Sequence, residues 1–102
     1  MEIRLLDGAK EDLRNGWFFD ERQSPGVGNR FLDAIEAEFQ TLAHYPGIHD
    51  KVEDFYRMLI RRFPFALYYL IDDDTIAIDA ILDCRPDPNG LRKRLDGSED
   101  LT

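Results

Sequence analysis

The chain of 102 residues has little of what secreted and membrane proteins depend on. Its one cysteine, Cys84, excludes a disulfide within the chain and is typical of a reducing compartment. No apolar run approaches the roughly 18 residues that a membrane span needs. The first 12 residues contain four acidic ones, unlike a secretory signal. We therefore expect a cytoplasmic protein with no membrane segment.

Sequence motifs for catalysis and metal binding are also absent. The chain has no P-loop, no Gly-rich dinucleotide turn and no Gly-x-Ser-x-Gly sequence. His44 and His49 are separated by a Pro-Gly pair, so they lack the helical spacing of a zinc site. Asp72–Asp74 is too short a run to wrap a hard cation and is typical of a charged hairpin turn. We predict no metal and no cofactor.

Positive charge is scarce, with 13 Lys and Arg against 21 Asp and Glu, a net charge of −8. Phosphate contacts need a cationic surface, so this balance disfavours broad nucleic-acid binding, and we predict no direct, sequence-specific nucleic-acid ligand. Residues 1–54 carry 12 acidic and 6 basic side chains. The bases of the second half instead form two clusters with one arginine between them: Arg57, Arg61 and Arg62, then Arg85, then Arg92, Lys93 and Arg94.

Two helices are predicted in the first half of the chain. The first covers Ala9 to about Glu21, with Asp7 as its cap. In the second helix, Ser24 is the predicted cap and Pro25 the first residue. An apolar stripe runs from Val27 to Ala43, and the helix ends before the Pro-Gly pair at 46–47. The short connection predicts an antiparallel helical hairpin.

The second half has the composition and alternation of strands. Strands are predicted at Phe55–Phe63, Phe65–Ile71 and Thr75–Cys84, and a short edge strand at Met1–Leu6. The last of the three alternates, which predicts that its apolar residues from Ile76 to Cys84 share one face. Helical stripes need an apolar sheet face as a partner, so we predict an α+β fold of two layers, a helical hairpin packed on a small antiparallel meander.

The domain prediction is a single unit over residues 1–95. A final short helix is predicted from Asp87-Pro88 to Leu95. Residues 96–102 form an acidic tail that is a candidate for disorder.

Arginines are the first candidates for function. On a strand, Arg57 and Arg61 share one face, and Arg85 follows the last strand. Guanidinium groups over a sheet can clamp phosphate or carboxylate. The alternative is that they pair with Asp79 and Asp83 on the same sheet.

Aromatic residues give a second candidate surface. Trp17, Phe18 and Phe19 are consecutive, so one helix stripe cannot bury all three. Either one or two of them meet a partner, or the wide face packs under the sheet or a terminal arm. The partner would be another protein or a second copy of this chain.

Two stretches resemble the ParE/RelE toxin superfamily, more closely its ParE branch. They are AKEDLRNGWFFDERQSPGVGNRFLDAIEAEFQTLAHYPG (9–47) and MLIRRFPFALYYLIDDDTIAIDAILDCRPDP (58–88). The matching motifs, in the order typical of the family, are Asp12-Leu13-Arg14, Pro25-Gly26 with Arg30-Phe31, the segment Arg61–Phe65, and the segment Arg85–Pro88. No single motif is diagnostic, but their order and spacing agree with the predicted fold over about four-fifths of the chain.

The resemblance implies a plasmid-stabilisation-type toxin of a type II toxin–antitoxin system with a cognate antitoxin as partner. ParE-like members inhibit DNA gyrase without a catalytic group, and this is the function we expect. The partner-binding residues that we predict on this basis are Trp17, Phe18, Phe19, Arg61, Arg62, Arg85, Arg92 and Arg94. A homodimer is a further candidate assembly.

Two alternatives stay open within the family. RelE-like members cleave messenger RNA on the ribosome, and here Arg57, Arg61 and Arg85 would take the basic roles. However, the segment after Arg85 contains neither tyrosine nor histidine as a proton donor. The third hypothesis is a binding module of the same fold that is not toxic, which the unusual acidity of the chain suggests.

Overall fold

A computed structural model describes residues 1–84. It shows two helices packed on one face of a five-stranded sheet. The predicted helix following Asp87, the acidic tail and Arg85, Arg92 and Arg94 lie outside the described residues. In chain order the elements are β1 (Glu2–Leu5), α1 (Asp7–Gln23), α2 (Val27–His44), β2 (Lys51–Val52), β3 (Phe55–Leu59), β4 (Phe65–Asp72) and β5 (Thr75–Asp83).

The strand order in the sheet is β1-β5-β4-β3-β2. Strands β2 to β5 form an antiparallel meander, and β1 pairs in parallel with β5 at the edge. This confirms the predicted α+β fold with its helical hairpin, its three main strands and its N-terminal edge strand. The two-residue strand β2 was not predicted, because a pair of residues is too short to show an alternation. Neither α1 nor α2, the helices of the described part, has the length and apolarity needed to cross a bilayer.

The main core lies between the helices and the sheet. From α2, Phe31, Ile35 and Leu42 are fully buried, as the predicted stripe requires. They pack against alternate residues of β4, Leu67 and Tyr69 among them. Strand β4 is buried on both faces, because Ala66 and Tyr68 form a second cluster on the side away from the helices; we call this side the outer face.

A β-bulge in β5 corrects the prediction for that strand. Tyr68 pairs with Ala80 and Tyr69 with Ile78, so Asp79 is the extra residue. The bulge reverses the alternation: Ile76 and Ile78 face the helices, whereas Ala80, Leu82 and Cys84 belong to the outer cluster. The predicted single apolar face from Ile76 to Cys84 is therefore wrong.

The predicted helix caps are also wrong. Asp7 is the first residue of α1 itself, and the capping position, Leu6, has no side-chain hydrogen bond. The second helix begins at Val27 rather than Pro25, after Gly26 with a left-handed φ of 91°. The Glu21 carboxylate, at the end of α1, accepts hydrogen bonds from the backbone N–H groups of Gly26 (3.1 Å) and Gly28 (3.0 Å). An acid from the neighbouring helix thus caps α2.

Strand β3 ends at Leu59, four residues before the predicted end. Ile60 N–H donates to the Phe65 carbonyl (3.0 Å), and Phe65 N–H donates to the Phe63 carbonyl (2.7 Å). The chain therefore turns through residues 60–64 around Pro64, which has no backbone donor for a ladder.

Asp12 joins the helical layer to the sheet. Its Oδ2 accepts a hydrogen bond from the backbone N–H of Ile81 in β5 at 3.0 Å, and the side chain is buried. This contact spans 69 residues of sequence. The contact lies two residues beyond the bulge at Asp79. Strand β1 pairs with β5 only as far as Ile78, so β1 has already ended at this point.

Gly16 allows the two helices to approach closely. A Cβ built at this position would lie 2.7 Å from Cζ of Phe31, a ring that is fully buried. The sequence alone indicates only the intrinsic cost of glycine within a helix, about 1 kcal/mol relative to alanine. The structure shows why glycine is present at position 16, since no side chain fits between α1 and Phe31.

We predict that Gly16→Ala destabilises the fold although alanine favours helix. Overpacking against the buried Phe31 ring should cost about 1–3 kcal/mol, more than the helix propensity returns. Chemical denaturation would measure the loss in the free energy of unfolding. Asn15→Ala, at the exposed neighbouring position, is the matched control and should be neutral or stabilising. Equal stabilisation by both substitutions would contradict the close packing.

Candidate functional site

The three consecutive aromatic residues of α1 separate into a packed one and two exposed ones. Trp17 Nε1 donates to Asn29 Oδ1 of α2 at 3.0 Å, and its indole fills the space where a Cβ on Gly28 would lie. Phe18 is 50 % exposed and Phe19 44 %. Neither of the two lies under the sheet, so the alternative in which the whole aromatic face packs under the sheet does not hold; the chain's C-terminal arm lies outside the described residues.

Phe18 forms part of an apolar depression between the two helices, which we call the hairpin patch. The depression has a volume of about 360 Å³ and includes Leu32 of α2, which is 38 % exposed. Trp17 and Phe18 meet edge to face, with ring centroids 5.1 Å apart. Phe19 is not among the residues that line the depression: Leu13, Arg14, Trp17, Phe18 and Leu32.

A larger groove lies between α2 and the turn that follows β3. Its volume is about 760 Å³, and we call it the arginine groove because three guanidinium-bearing residues, Arg30, Arg61 and Arg62, line it. Arg61 Nε lies 3.5 Å from Oε1 of Glu38; the arginine side chain is 79 % exposed and the glutamate buried. A long ion pair with one partner in water is weak and leaves the guanidinium available to a ligand. Ala34, Ile60 and Phe63 supply apolar walls.

Arg57 occupies a different place from Arg61. Its Nε donates to the Tyr68 hydroxyl at 3.2 Å, and one terminal nitrogen is 3.8 Å from Cys84 Sγ. These partners belong to the outer face, whereas Arg61 lies on the helix side beside Glu38. The prediction that Arg57 and Arg61 share a face is wrong, because β3 ends before Arg61 and the chain then turns.

The surroundings of Arg57 keep it cationic and orient it. The hydrogen bond to Tyr68 raises the pKa of the Arg57 guanidinium, an effect that partial burial opposes. Tyr68 itself is almost fully buried and belongs to the outer cluster. This arrangement fixes the Arg57 guanidinium on the outer face of the sheet.

Within residues 1–84, no three His, Cys, Asp or Glu side chains converge in a way that could hold a metal ion. His44 Nδ1 hydrogen-bonds the Gln40 carbonyl at 2.8 Å, and His49 Nδ1 lies 2.6 Å from the Tyr69 hydroxyl. The two histidines therefore serve separate local contacts. Asp73 and Asp74 form the turn between β4 and β5, as the sequence predicted for this acidic run.

A partly buried hydrogen-bond network around Tyr69 was not foreseen from the sequence. The Tyr69 hydroxyl accepts from the backbone N–H of Gly47 (3.0 Å) and donates to Nδ1 of His49 when that nitrogen carries no proton (2.6 Å). Its ring stacks on Tyr56, with centroids 5.1 Å apart. The network ties the loop after α2 to the centre of the sheet. Burial raises the pKa of the Tyr69 hydroxyl.

Comparison with known proteins supplies a family. A family model described as the ParE toxin of the type II toxin–antitoxin system, parDE, matches residues 3–88. A solved chain from the "Chromosomal ParDE TA system from P. aeruginosa" is similar in structure, with a TM-score of 0.69. The match covers 79 % of this chain and 92 % of that chain at 17 % sequence identity, so it shows a shared fold. No curated protein sequence matches the chain.

We predict that the network around Tyr69 makes stability fall in alkaline solution. The unfolded tyrosine ionises near its ordinary pKa of about 10, whereas the folded residue, with its raised pKa, stays neutral. The stabilisation from neutral Tyr69 is fully present below the pKa of the unfolded tyrosine. It is lost as the pH rises through the higher pKa of Tyr69 in the folded protein. Denaturation of Tyr69→Phe and wild type at several pH values would measure it. Tyr69→Phe should lose about 1 kcal/mol at neutral pH and show less alkaline loss.

Tyr45→Phe is the matched control, because Tyr45 is 62 % exposed. It should leave both the stability and its alkaline decline unchanged. Identical pH profiles for Tyr69→Phe and wild type would show that the Tyr69 hydroxyl does not contribute.

Proposed function

Because the chain belongs to the ParE toxin family of type II toxin–antitoxin systems, we propose that it is a non-enzymatic toxin that inhibits DNA gyrase and is neutralised by a cognate antitoxin. On this proposal it acts in the bacterial cytoplasm, where the single thiol of Cys84 stays reduced.

The placement of the arginines is the observation that favours inhibition by binding over RNA cleavage. A ribonuclease must bring cations and an acid–base pair to one phosphate. In the described part of the chain, Arg57 points to the outer face and Arg61 to the arginine groove. They do not converge on one phosphate.

The two buried tyrosine hydroxyls of β4, one of them beside Arg57, are poor proton donors for an external substrate. Tyr68, beside Arg57, is 1 % exposed, and Tyr69 is fully buried in its network with Gly47 and His49. Burial also raises the pKa of Tyr69, which moves it further from the range useful for proton transfer at neutral pH. A surface that only has to bind makes no such demand.

We place the antitoxin on the hairpin patch and the arginine groove. Both border α2, so one segment of a partner can reach both. The patch offers Phe18 and Leu32 as half-exposed apolar anchors, and the groove offers the exposed guanidinium of Arg61. Aromatic and arginine side chains are the commonest anchors of protein interfaces. A second copy of the chain is the other candidate for the same surface.

Inducible expression in a bacterial host, with growth, DNA damage response and translation followed together, tests the proposed function. We expect growth arrest with an early damage response while translation continues, and inhibition of purified gyrase in a supercoiling assay. Arrest with immediate loss of translation and cut messages would instead support the ribonuclease. Soluble, folded protein without arrest would support a binding module that is not toxic.

We predict that Phe18→Ser combined with Leu32→Ser separates antitoxin binding from toxicity. The double variant should still inhibit gyrase, whereas its affinity for the antitoxin encoded beside it should fall by at least about tenfold, since two apolar anchors are lost. Calorimetry with the purified antitoxin would measure this. Leu59→Ser changes a leucine of β3 that is more exposed still, at 59 %, and should bind normally. Full affinity of the double variant would place the antitoxin elsewhere.

A further inference from the structure

The outer face of the sheet is buried at its centre, although both described helices pack on the opposite side. Ala66, Tyr68 and Ala80 form the centre of the outer cluster and are at most 1 % exposed. Side chains stand roughly perpendicular to a sheet, so a tyrosine on an open face turns part of its ring to water. The burial of Tyr68 therefore indicates a further layer over the centre of this face.

The margin of the outer face is exposed, in contrast to its centre. Leu59 pairs with Ala66, and Leu70 follows Tyr68 by two positions on β4, so both leucines share the outer face. Their exposed fractions are 59 % and 38 %. Neighbours on adjacent strands thus do not bury a large side chain here by themselves. Cover that is confined to the centre fits one narrow segment better than a second full layer.

The described chain ends on this same face. Cys84 packs against the outer cluster, and its N–H donates to the Pro64 carbonyl at 2.7 Å, which holds the end of β5 beside the turn before β4. Residues 85–102 continue from this point. Leu91 lies seven positions further on, which an extended chain can span over about 23 Å. The outer cluster extends from β5 to Val52 of β2, three strand spacings or about 14 Å. The segment is therefore long enough to cross it.

We propose that residues 85–95 cross the outer face and cover Tyr68, with Leu91 and Leu95 as the apolar contacts. The sequence predicts a short helix that ends at Leu95, and side chains four positions apart share one face of a helix. The outer cluster offers these two leucines an apolar surface. Because the segment is tethered to Cys84, its effective concentration at this surface is high, which favours it over a separate partner.

Docking in this orientation determines where the last basic cluster lies. Arg92, Lys93 and Arg94 stand between the two leucines, so Lys93 faces away from the sheet and the two arginines flank the apolar contact. Arg92 and Arg94, which the sequence analysis assigned to partner binding, are then displayed on the side of the sheet opposite α2. They lie away from the surface on which we place the antitoxin.

Cys84 reports on the docking, because it is the single cysteine of the chain and packs against the outer cluster. Leu91→Ser combined with Leu95→Ser should release the segment. The rate at which Cys84 reacts with Ellman's reagent should then rise about tenfold or more over the wild type, since two buried leucines are lost. Leu101→Ser changes a leucine outside the segment, and this matched control should react like the wild type. A cooperative thermal transition confirms that each variant is folded.

Nuclear Overhauser contacts in the full-length wild type test the position of the segment directly, whether or not the double variant folds. We expect contacts from the methyl groups of Leu91 or Leu95 to the ring of Tyr68 or of Phe55, which packs against the outer cluster. Their absence would overturn the proposal, as would equal thiol reactivity of the folded double variant and the wild type.

Dilution distinguishes the segment from a second copy of the chain. A tethered segment protects Cys84 equally at every protein concentration. Protection that is lost on dilution would assign the cover to a second copy and overturn the docking. All these measurements use the isolated chain, so a negative result leaves the proposed function intact, and a chain that does not inhibit gyrase leaves the docking intact.

Discussion

The hydrogen bond from Ile81 N–H to the buried Asp12 carboxylate is the constraint on which the arrangement of the two layers depends. A buried backbone donor must find an acceptor, and a bulge next to it disturbs the regular ladder. Strand β1 pairs with β5 only as far as Ile78, so the edge of β5 beyond that residue is protected by α1 instead of by another strand. By accepting the hydrogen bond from the Ile81 N–H, Asp12 holds α1, and with it the helical hairpin, at one position along β5.

With α1 held there, the position of α2 follows from close packing. Gly16 lets the Phe31 ring lie against the α1 backbone, and Gly28 does the same for Trp17 in the opposite direction. In this reciprocal packing the Trp17 ring lies against Gly28, and the core has no space left for Phe18. The exposure of Phe18 is therefore a consequence of how the hairpin closes, and an exposed apolar patch arises without loss to the core.

How far the sequence predicts the structure depends on whether a feature is local. Helical stripes and strand alternation are local, so the elements and the two-layer fold could be predicted. The bulge at Asp79 could not, because it is visible only in the pairing with β4, and it moves Cys84 to the outer face. In the sequence, Asp12 is an ordinary acidic residue of a helix, and only the structure shows that it accepts a hydrogen bond from β5. Arg57 and Arg61 lie on different sides of the sheet because β3 already ends at Leu59, and the β-forming residues that continue to Phe63 contain no signal for that end.

The distribution of charge gives this small domain two surfaces of opposite character. Arginines line the groove between α2 and the turn after β3, whereas seven carboxylates lie in residues 1–2, 50–54 and 72–74, where the β2–β3 and β4–β5 turns meet. Surfaces of opposite charge favour different ligands, because electrostatic repulsion of the wrong partner contributes to specificity as much as attraction of the right one.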